Sequence, residues 1–168
     1  MSEEWFWGLI EKSRAGSTSL REQCDALRVE LESLDTESIL EFQRQFAGLV
    51  STAYSWDLMA VAHIVNRDGD IENFDDFVGW LIAQGQSYFE TAIAEPARAA
   101  DALAVGEQAL CEGIWLAPAD AYEKLTGADD FFDIAHGVSL AMQGKRWQEG
   151  ELPTKFPELY RRFRGEQG

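Results

Sequence analysis

Apolar side chains recur along most of the chain at spacings of three and four residues, which is the period of an amphipathic α-helix. The clearest stretch takes such steps without interruption and consists of Ile39, Phe42, Phe46, Leu49 and Ala53. This pattern predicts an all-α fold, a single-domain bundle of about six to eight helices over residues 1–168. We expect residues 1–127 to form a regular helical core and residues 128–168 a less regular C-terminal extension that packs back on that core.

Residues that favour helix starts divide the first third of the chain into elements. Ser2, Ser19 and Asp35 are predicted N-caps, because a short polar side chain can accept a hydrogen bond from the exposed amides of a first turn. Glu22 follows Ser19 by three residues, which is the spacing of a capping box. The sequence therefore predicts three helices before residue 54.

The later helices contain residues that disfavour a helix interior. A fifth helix is predicted to run from Asn73 to Glu95, with Gly79 and Gly85 inside it, and each glycine costs about 1 kcal/mol relative to alanine. Close helix packing, or a ligand beside the backbone, would account for that cost. Pro118 is expected to kink or split a later helix because it lacks an amide donor.

The net charge of the chain disfavours some classes of binding partner. Thirty acidic residues against 14 basic ones give a net charge of −16 and a sequence pI of about 4.4, which opposes binding to a nucleic acid or an anionic membrane. Residues 1–144 hold 26 acids and 8 bases, whereas residues 145–168 hold 4 acids and 6 bases. We therefore expect the basic tail to dock on the acidic body.

The composition also indicates where in the cell the protein is expected. The chain has no run of roughly 18 apolar residues, the length that a membrane span requires, and its first residues lack the pattern of a signal peptide. Cys24 and Cys111 are its two cysteines, too few for a secreted disulfide scaffold. We expect a cytoplasmic protein whose cysteines are small buried side chains, with a disulfide or a catalytic thiol as the alternatives.

The predicted fourth helix carries the first group of candidate site residues. Trp56, His63 and Asn66 share one helical face and could line a polar pocket with an aromatic wall. Histidine is the usual general base near neutral pH, so His63 is a candidate catalytic residue, oriented by Asp57 or by a carboxylate from another helix. A partly buried structural histidine is the alternative.

The predicted fifth helix carries the second group. Trp80, Gln84 and Tyr88 recur at four-residue intervals and could hold a planar ligand or peptide, with Gln84 orienting it. Core packing is the alternative explanation for this stripe. If both groups are functional, the pocket should lie between the fourth and fifth helices around His63 and Gln84.

Metal and cofactor signatures do not occur in the sequence. The acidic stretch at residues 68–76 lacks the glycine and glutamate positions of an EF-hand, and we expect a solvated turn there. His136 lies in the least patterned segment. With two histidines and two cysteines, a structural zinc site is not expected, and neither a metal nor a cofactor is predicted.

Several aromatic and aliphatic motifs together resemble a known family. The most specific is Trp-Leu-Ile-x-Gln-Gly at residues 80–85, and the others are Trp5-Phe6-Trp7-Leu9-Ile10, Ile39-Leu40-Phe42, Trp56-Asp57-Leu58 and Ala121-Tyr122-Glu123 before Thr126-Gly127. They resemble the bacterial family called domain of unknown function 4240, which is frequent in actinobacteria, over residues 3–127 and the chain end. Val78 departs from the family, which has arginine there. The resemblance implies a small, mostly helical, cytoplasmic protein and carries no reaction, cofactor or catalytic residue with it.

Two functions from different classes fit these observations. The first is a regulatory or protein-interaction module whose carboxylate surface recognises a basic protein partner. The second is a small-molecule-binding protein or enzyme that uses the pocket around His63 and Gln84. The presence or absence of a cavity beside these two residues would separate them.

Overall fold

A computed structural model describes residues 1–67, 71–135, 137 and 139–165 of the chain. Over these residues the protein has ten α-helices and two 3₁₀ segments and no strand, which confirms the predicted all-α fold. The helices are α1 (Glu3–Ala15), α2 (Leu20–Glu32), α3 (Thr36–Ala53), α4 (Trp56–Asn66), α5 (Ile71–Ala83), α6 (Gln86–Ala94), α7 (Gly113–Thr126), α8 (Phe131–Ile134), α9 (Leu152–Lys155) and α10 (Pro157–Arg164); the 3₁₀ segments are Pro96–Ala100 and Glu149–Glu151. Of the acidic turn predicted at residues 68–76, residues 68–70 lie outside the described residues, and residues 71–76 belong to α5, so the prediction of a turn is wrong there. His136 also lies outside the described residues.

The first three helices begin where their capping residues predict. The hydroxyl of Ser2 accepts a hydrogen bond from the Trp5 amide at 3.2 Å, and the carboxylate of Asp35 accepts one from the Ser38 amide at 2.8 Å. At α2 the Glu22 carboxylate bonds Thr18, one residue before the predicted partner, so the capping box is shifted by one position. Local side-chain chemistry therefore decides these starts.

Five helices enclose the main core. Helix α7 packs against α2, α3 and α5, and α1 packs against α2, α3 and α5 as well. A continuous series of buried rings crosses this bundle: Phe6 stacks on Phe42 at 4.7 Å between centroids, and Phe46 meets Trp115 edge-on at 4.9 Å. Helix α4 lies on α5 and contacts the 3₁₀ segment at 96–100 and α10 on its other sides.

The predicted fifth helix is wrong in its length, because the chain breaks it into α5 and α6. Gly85 has a φ of +97°, a backbone conformation that glycine adopts without the steric cost other residues meet. The amide of Gln23 from α2 donates to the carbonyl of Ala83 at 2.8 Å and satisfies an acceptor that the helix end leaves free. Gly79, by contrast, is a close-packing position: a Cβ there would lie 2.6 Å from the carbonyl oxygen of Cys111.

Pro118 does not split α7. The helix is continuous from Gly113 to Thr126, with Pro118 buried inside it, so of the two expected outcomes, a kink or a split, the split is wrong. Among the helices of the described ranges, none combines the length and the apolar character needed to cross a bilayer.

Candidate functional site

His63 lies on α4 and faces residues from the C-terminal part of the chain. Its Nε2 is 3.4 Å from a carboxylate oxygen of Glu149, and its ring lies 5.5 Å from the ring of Trp147, centroid to centroid. Only 14% of the side chain is exposed, and its Nδ1 is buried without a hydrogen bond to any described residue. The carboxylate partner of His63 therefore comes from another element, the second of the two arrangements that the sequence suggested.

Trp56 and Asp57 begin α4 beside the same C-terminal residues. The indole N–H of Trp147 donates to the carbonyl of Trp56 at 2.7 Å, and the Arg146 guanidinium lies 5.2 Å from the Trp56 ring centroid. Asp57 pairs with the ammonium group of Lys155 at 2.8 Å. Asp57 therefore forms an ion pair with a lysine of α9.

Asn66 has a different surrounding from the other α4 candidates. It is buried, its amide nitrogen donates to the carbonyl of Ala109 at 3.3 Å, and its amide oxygen accepts from the Ala109 N–H at 2.8 Å. Both polar atoms of the side chain therefore bind the backbone of Ala109, which indicates a structural role for Asn66.

The stripe of Trp80, Gln84 and Tyr88 is divided by the break between α5 and α6, yet its aromatic members still meet. The rings of Trp80 and Tyr88 lie 5.9 Å apart in an edge-to-face contact. The Tyr88 hydroxyl donates to the carbonyl of Ala99 at 2.8 Å and accepts from the Ala102 amide at 3.0 Å. Burial raises the pKa of Tyr88. The Gln84 amide donates to the Trp80 carbonyl at 3.2 Å.

Apart from Asn66, which bonds Ala109, the candidates of the two predicted stripes have different neighbours. His63, Trp56 and Asp57 contact residues 146–155. Gln84 and Tyr88 line a groove of about 310 Å³ together with side chains of α1 and the 96–101 region, including Arg14 and Arg98. His63 and Gln84 share none of these neighbours.

Two further cavities lie on the surface, one formed in part by residues that contact His63, Trp56 and Asp57 and one formed by other residues. We call the first the basic cleft: it measures about 410 Å³ and is lined by Lys145, Arg146, Trp147, Gly150, Glu151, Thr154 and Lys155. We call the second the apolar groove: it measures about 460 Å³ and is lined by Glu3, Gln45, Gly48, Leu49, Thr52, Phe89, Glu90, Ile93 and Ala94. Sequence reasoning named neither. The walls of the apolar groove come from segments far apart in the chain, and the basic cleft lies within residues 145–155, where the helical pattern of the sequence is weak.

A third feature that the sequence did not predict is a pair of thiols. Cys24 on α2 and Cys111 before α7 are unoxidised, and their Sγ atoms lie 3.3 Å apart although 87 positions separate them. Cys111 is buried, as expected, and Cys24 is partly exposed. The only sequence signal was the presence of two cysteines in apolar helical surroundings, which does not report their distance. Among the residues of the described ranges, no group of three or more His, Cys, Asp or Glu residues could hold a metal ion.

The fold and these sites define an all-α protein with clefts on its surface and a close pair of thiols. The family model described as a protein of unknown function (DUF4240) matches residues 1–124, and the chain belongs to that family. This confirms the resemblance predicted from the motif at residues 80–85. No curated protein and no solved structure matches the chain.

Proposed function

We propose that the protein is an interaction module that binds a basic segment of a partner protein by inserting an apolar side chain of that segment into the apolar groove. The observation that carries the proposal is an apolar concavity with carboxylates at its rim in a chain of net charge −16.

The walls of the groove come from α3 and α6. Leu49 and Ile93 are partly exposed, and Phe89 forms the buried part of the lining. Gly48 contributes no side chain, and a Cβ placed there would meet no atom within 4 Å. A cavity of about 460 Å³ lies within the range of ordinary binding pockets. The groove is therefore large enough for apolar side chains of a partner.

The rim of the groove carries two exposed acids in defined positions. The Glu3 carboxylate accepts from the Trp7 indole N–H at 3.2 Å, and the Glu90 carboxylate accepts from the Gln86 amide at 2.9 Å. Carboxylates placed beside an apolar groove favour lysine and arginine next to the inserted residue, and the net charge of the chain accelerates encounter with such a segment.

The test is a selection from a displayed peptide library on the purified full-length protein. We expect the selected peptides to carry an apolar residue flanked by lysine or arginine, and their affinity to fall as salt is added. The variant Ile93→Lys should weaken binding of a selected peptide about tenfold or more, which corresponds to about 1.4 kcal/mol. The measurement is titration calorimetry.

Val29→Lys is the matched control, since it makes the same change at an exposed apolar residue of α2. It should change the affinity by less than about twofold, within the range of ordinary surface substitutions. Selected peptides without basic residues, or equal weakening by both variants, would contradict the proposal.

A second candidate function is the binding of a small anion in the basic cleft, with His63 close by. It is favoured by Lys145, Arg146 and Lys155 lining one cavity of an acidic protein. Trp147 links this cavity to His63, since it lines the cleft and its ring lies 5.5 Å from the imidazole. This version of the ligand-binding hypothesis retains His63 and Trp56 and does without Gln84.

Inorganic phosphate and a nucleoside monophosphate are the probes for the basic cleft. We expect either anion to raise the thermal unfolding midpoint of the full-length protein, because a ligand that binds only the folded state stabilises it. Arg146→Gln should abolish the rise, and Arg44→Gln, at an exposed arginine of α3, should retain it. No rise in the midpoint, or an undiminished rise in Arg146→Gln, would rule this candidate out.

A further inference from the structure

The thiols of Cys24 and Cys111 are held together by tight packing between α2 and the start of α7. Gly113, the first residue of α7, faces Cys24, and a Cβ on that glycine would lie 3.0 Å from the Cys24 Sγ. Glycine at this position therefore leaves the room that Cys24 needs to approach Cys111. The Sγ–Sγ distance is 3.3 Å, and a disulfide requires about 2.05 Å, so a shift of roughly 1.2 Å would join them.

The two thiols differ in their electrostatic surroundings. The pKa of Cys111 is lowered because its sulfur accepts a hydrogen bond from Cys24, and the amides of Ile114 and Gly113 add to this effect against the cost of burial. The same hydrogen bond, together with burial and the nearby Cys111 sulfur, raises the pKa of Cys24. These surroundings make Cys111 the more acidic thiol of the pair, the one that a neighbouring hydrogen-bond donor favours as the thiolate.

Access to the pair is through a small groove of about 320 Å³ that both cysteines line. Cys111 is 6% exposed, so a large reactant such as a folded protein cannot bring a reacting atom to its sulfur without movement of the walls. A small oxidant can enter the groove and reach it.

We propose that Cys24 and Cys111 form an oxidation site at which a small hydroperoxide converts the two thiols into an intramolecular disulfide. A lone pair of the Cys111 thiolate attacks the terminal peroxide oxygen, the O–O bond breaks, and hydroxide or an alkoxide leaves. Cys111 is then a sulfenic acid. The Cys24 sulfur attacks the Cys111 sulfur, the S–O bond breaks, and the hydroxyl group leaves as water with the Cys24 proton. The two thiols supply the two electrons that reduce the peroxide.

This disulfide would join α2 to a residue two positions before α7, and α2 and α7 already pack together. Because the link closes a long segment of the chain, it restricts the unfolded state more than the folded one. We therefore expect the oxidised protein to unfold at a higher temperature than the reduced protein. Low-molecular-weight thiols would reverse the change by thiol–disulfide exchange.

The experiment treats the reduced full-length protein with a small excess of hydrogen peroxide, alkylates the remaining thiols and measures the intact mass. We expect a monomer that has lost two hydrogen atoms and takes up no alkylating reagent. A dithiol reductant should restore both alkylation sites. If the treated wild-type protein keeps two alkylatable thiols, or forms only disulfide-linked dimers, the proposal is overturned.

Two single variants separate the roles of the cysteines. Cys24→Ser should stop at the sulfenic acid, which a dimedone probe traps, and Cys111→Ser should react with peroxide about tenfold more slowly because the activated thiolate is missing. The reaction of a Cys24→Ala variant should need a higher pH than that of the wild-type protein, since alanine removes the hydrogen bond that lowers the Cys111 pKa. Equal rates for the two serine variants and an unchanged pH profile for Cys24→Ala would show that the thiols do not cooperate.

Discussion

Removal of residues 145–168 is expected to lower the free energy of unfolding by about 5–8 kcal/mol. Leu152, Leu159 and Phe163 are buried against the rest of the protein, and each loses about 1.5–3 kcal/mol of apolar burial when the segment is removed. Folded domains are stable by only about 5–15 kcal/mol in total, so the truncated chain should be close to unfolded at room temperature. Urea unfolding followed by circular dichroism measures the loss.

The contacts of the tail predict a weak dependence of this loss on salt. The Arg164 guanidinium donates to the carbonyls of Ile64 at 3.0 Å and of His63 at 2.6 Å, and Arg162 donates to the carbonyl of Leu103. These arginines satisfy backbone acceptors, at a helix end in the case of Arg164, whereas the net charges alone suggested pairing with carboxylates. We expect added salt to change the loss by less than about 1 kcal/mol, because few exposed ion pairs are involved.

A full-length variant keeps this prediction testable if the truncated chain does not fold. Phe163→Ala removes one buried ring and should cost about 3–5 kcal/mol. Arg161→Ala, at an exposed position of the same helix, should change the free energy of unfolding by less than about 0.5 kcal/mol. A truncated chain with undiminished stability, or equal effects of the two substitutions, would show that the C-terminal segment does not depend on the body of the protein.

Asn66→Ala is expected to lower the free energy of unfolding by about 2–6 kcal/mol. The side chain satisfies both the N–H and the carbonyl of Ala109, which is fully buried. Its removal leaves two buried backbone groups without partners, and each such group costs about 1–3 kcal/mol. Gln108→Ala is the control at an exposed neighbouring amide, and it should stay within about 0.5 kcal/mol of the wild-type protein.

The same variant separates two roles for Asn66. The sequence suggested a ligand contact, whereas the bonds to Ala109 indicate a structural role. If Asn66→Ala weakened phosphate binding in the basic cleft while leaving the urea midpoint unchanged, the structural role would be contradicted.

Features that depend on neighbouring residues were predictable from the sequence. Ser2, Ser19 and Asp35 cap the helices that the sequence assigns to them, because an N-cap needs only a short side chain and the amides within three residues. The apolar steps of α3 likewise place Ile39, Phe42 and Phe46 in the core, since a helical period converts spacing directly into a buried face.

Whether a helix ends or continues at a given residue was harder to predict. The glutamine–glycine pair at 84–85 is a recognisable helix end, but the run of apolar residues on both sides of it favoured a continuous helix. The Gln23 side chain from α2 stabilises the break, because its amide donates a hydrogen bond to the Ala83 carbonyl at the end of α5. Pro118 was misjudged for the opposite reason, because burial of the surrounding turns keeps α7 continuous despite the missing amide.

The candidate site shows the limit of helical spacing. Positions three or four apart on one helix are neighbours by geometry alone, and the sequence therefore grouped His63 with Asn66. The fold directs His63 toward Trp147 and Glu149 and directs Asn66 toward Ala109. Which residue of a distant segment faces a given side chain depends on how the helices are arranged, and spacing within one helix carries no information about that.

By itself the sequence determined the helical class, the starts of the first three helices, the acidic charge and the family, because each depends on composition, local spacing or a contiguous motif. The tertiary structure alone decided that α5 ends at Ala83 and that Arg162 and Arg164 bond backbone carbonyls. It also decided that Cys24 and Cys111 lie 3.3 Å apart. These are contacts between residues far apart in the chain, and they form only when whole helices pack, since packing is what selects one arrangement among the many that the same helices allow.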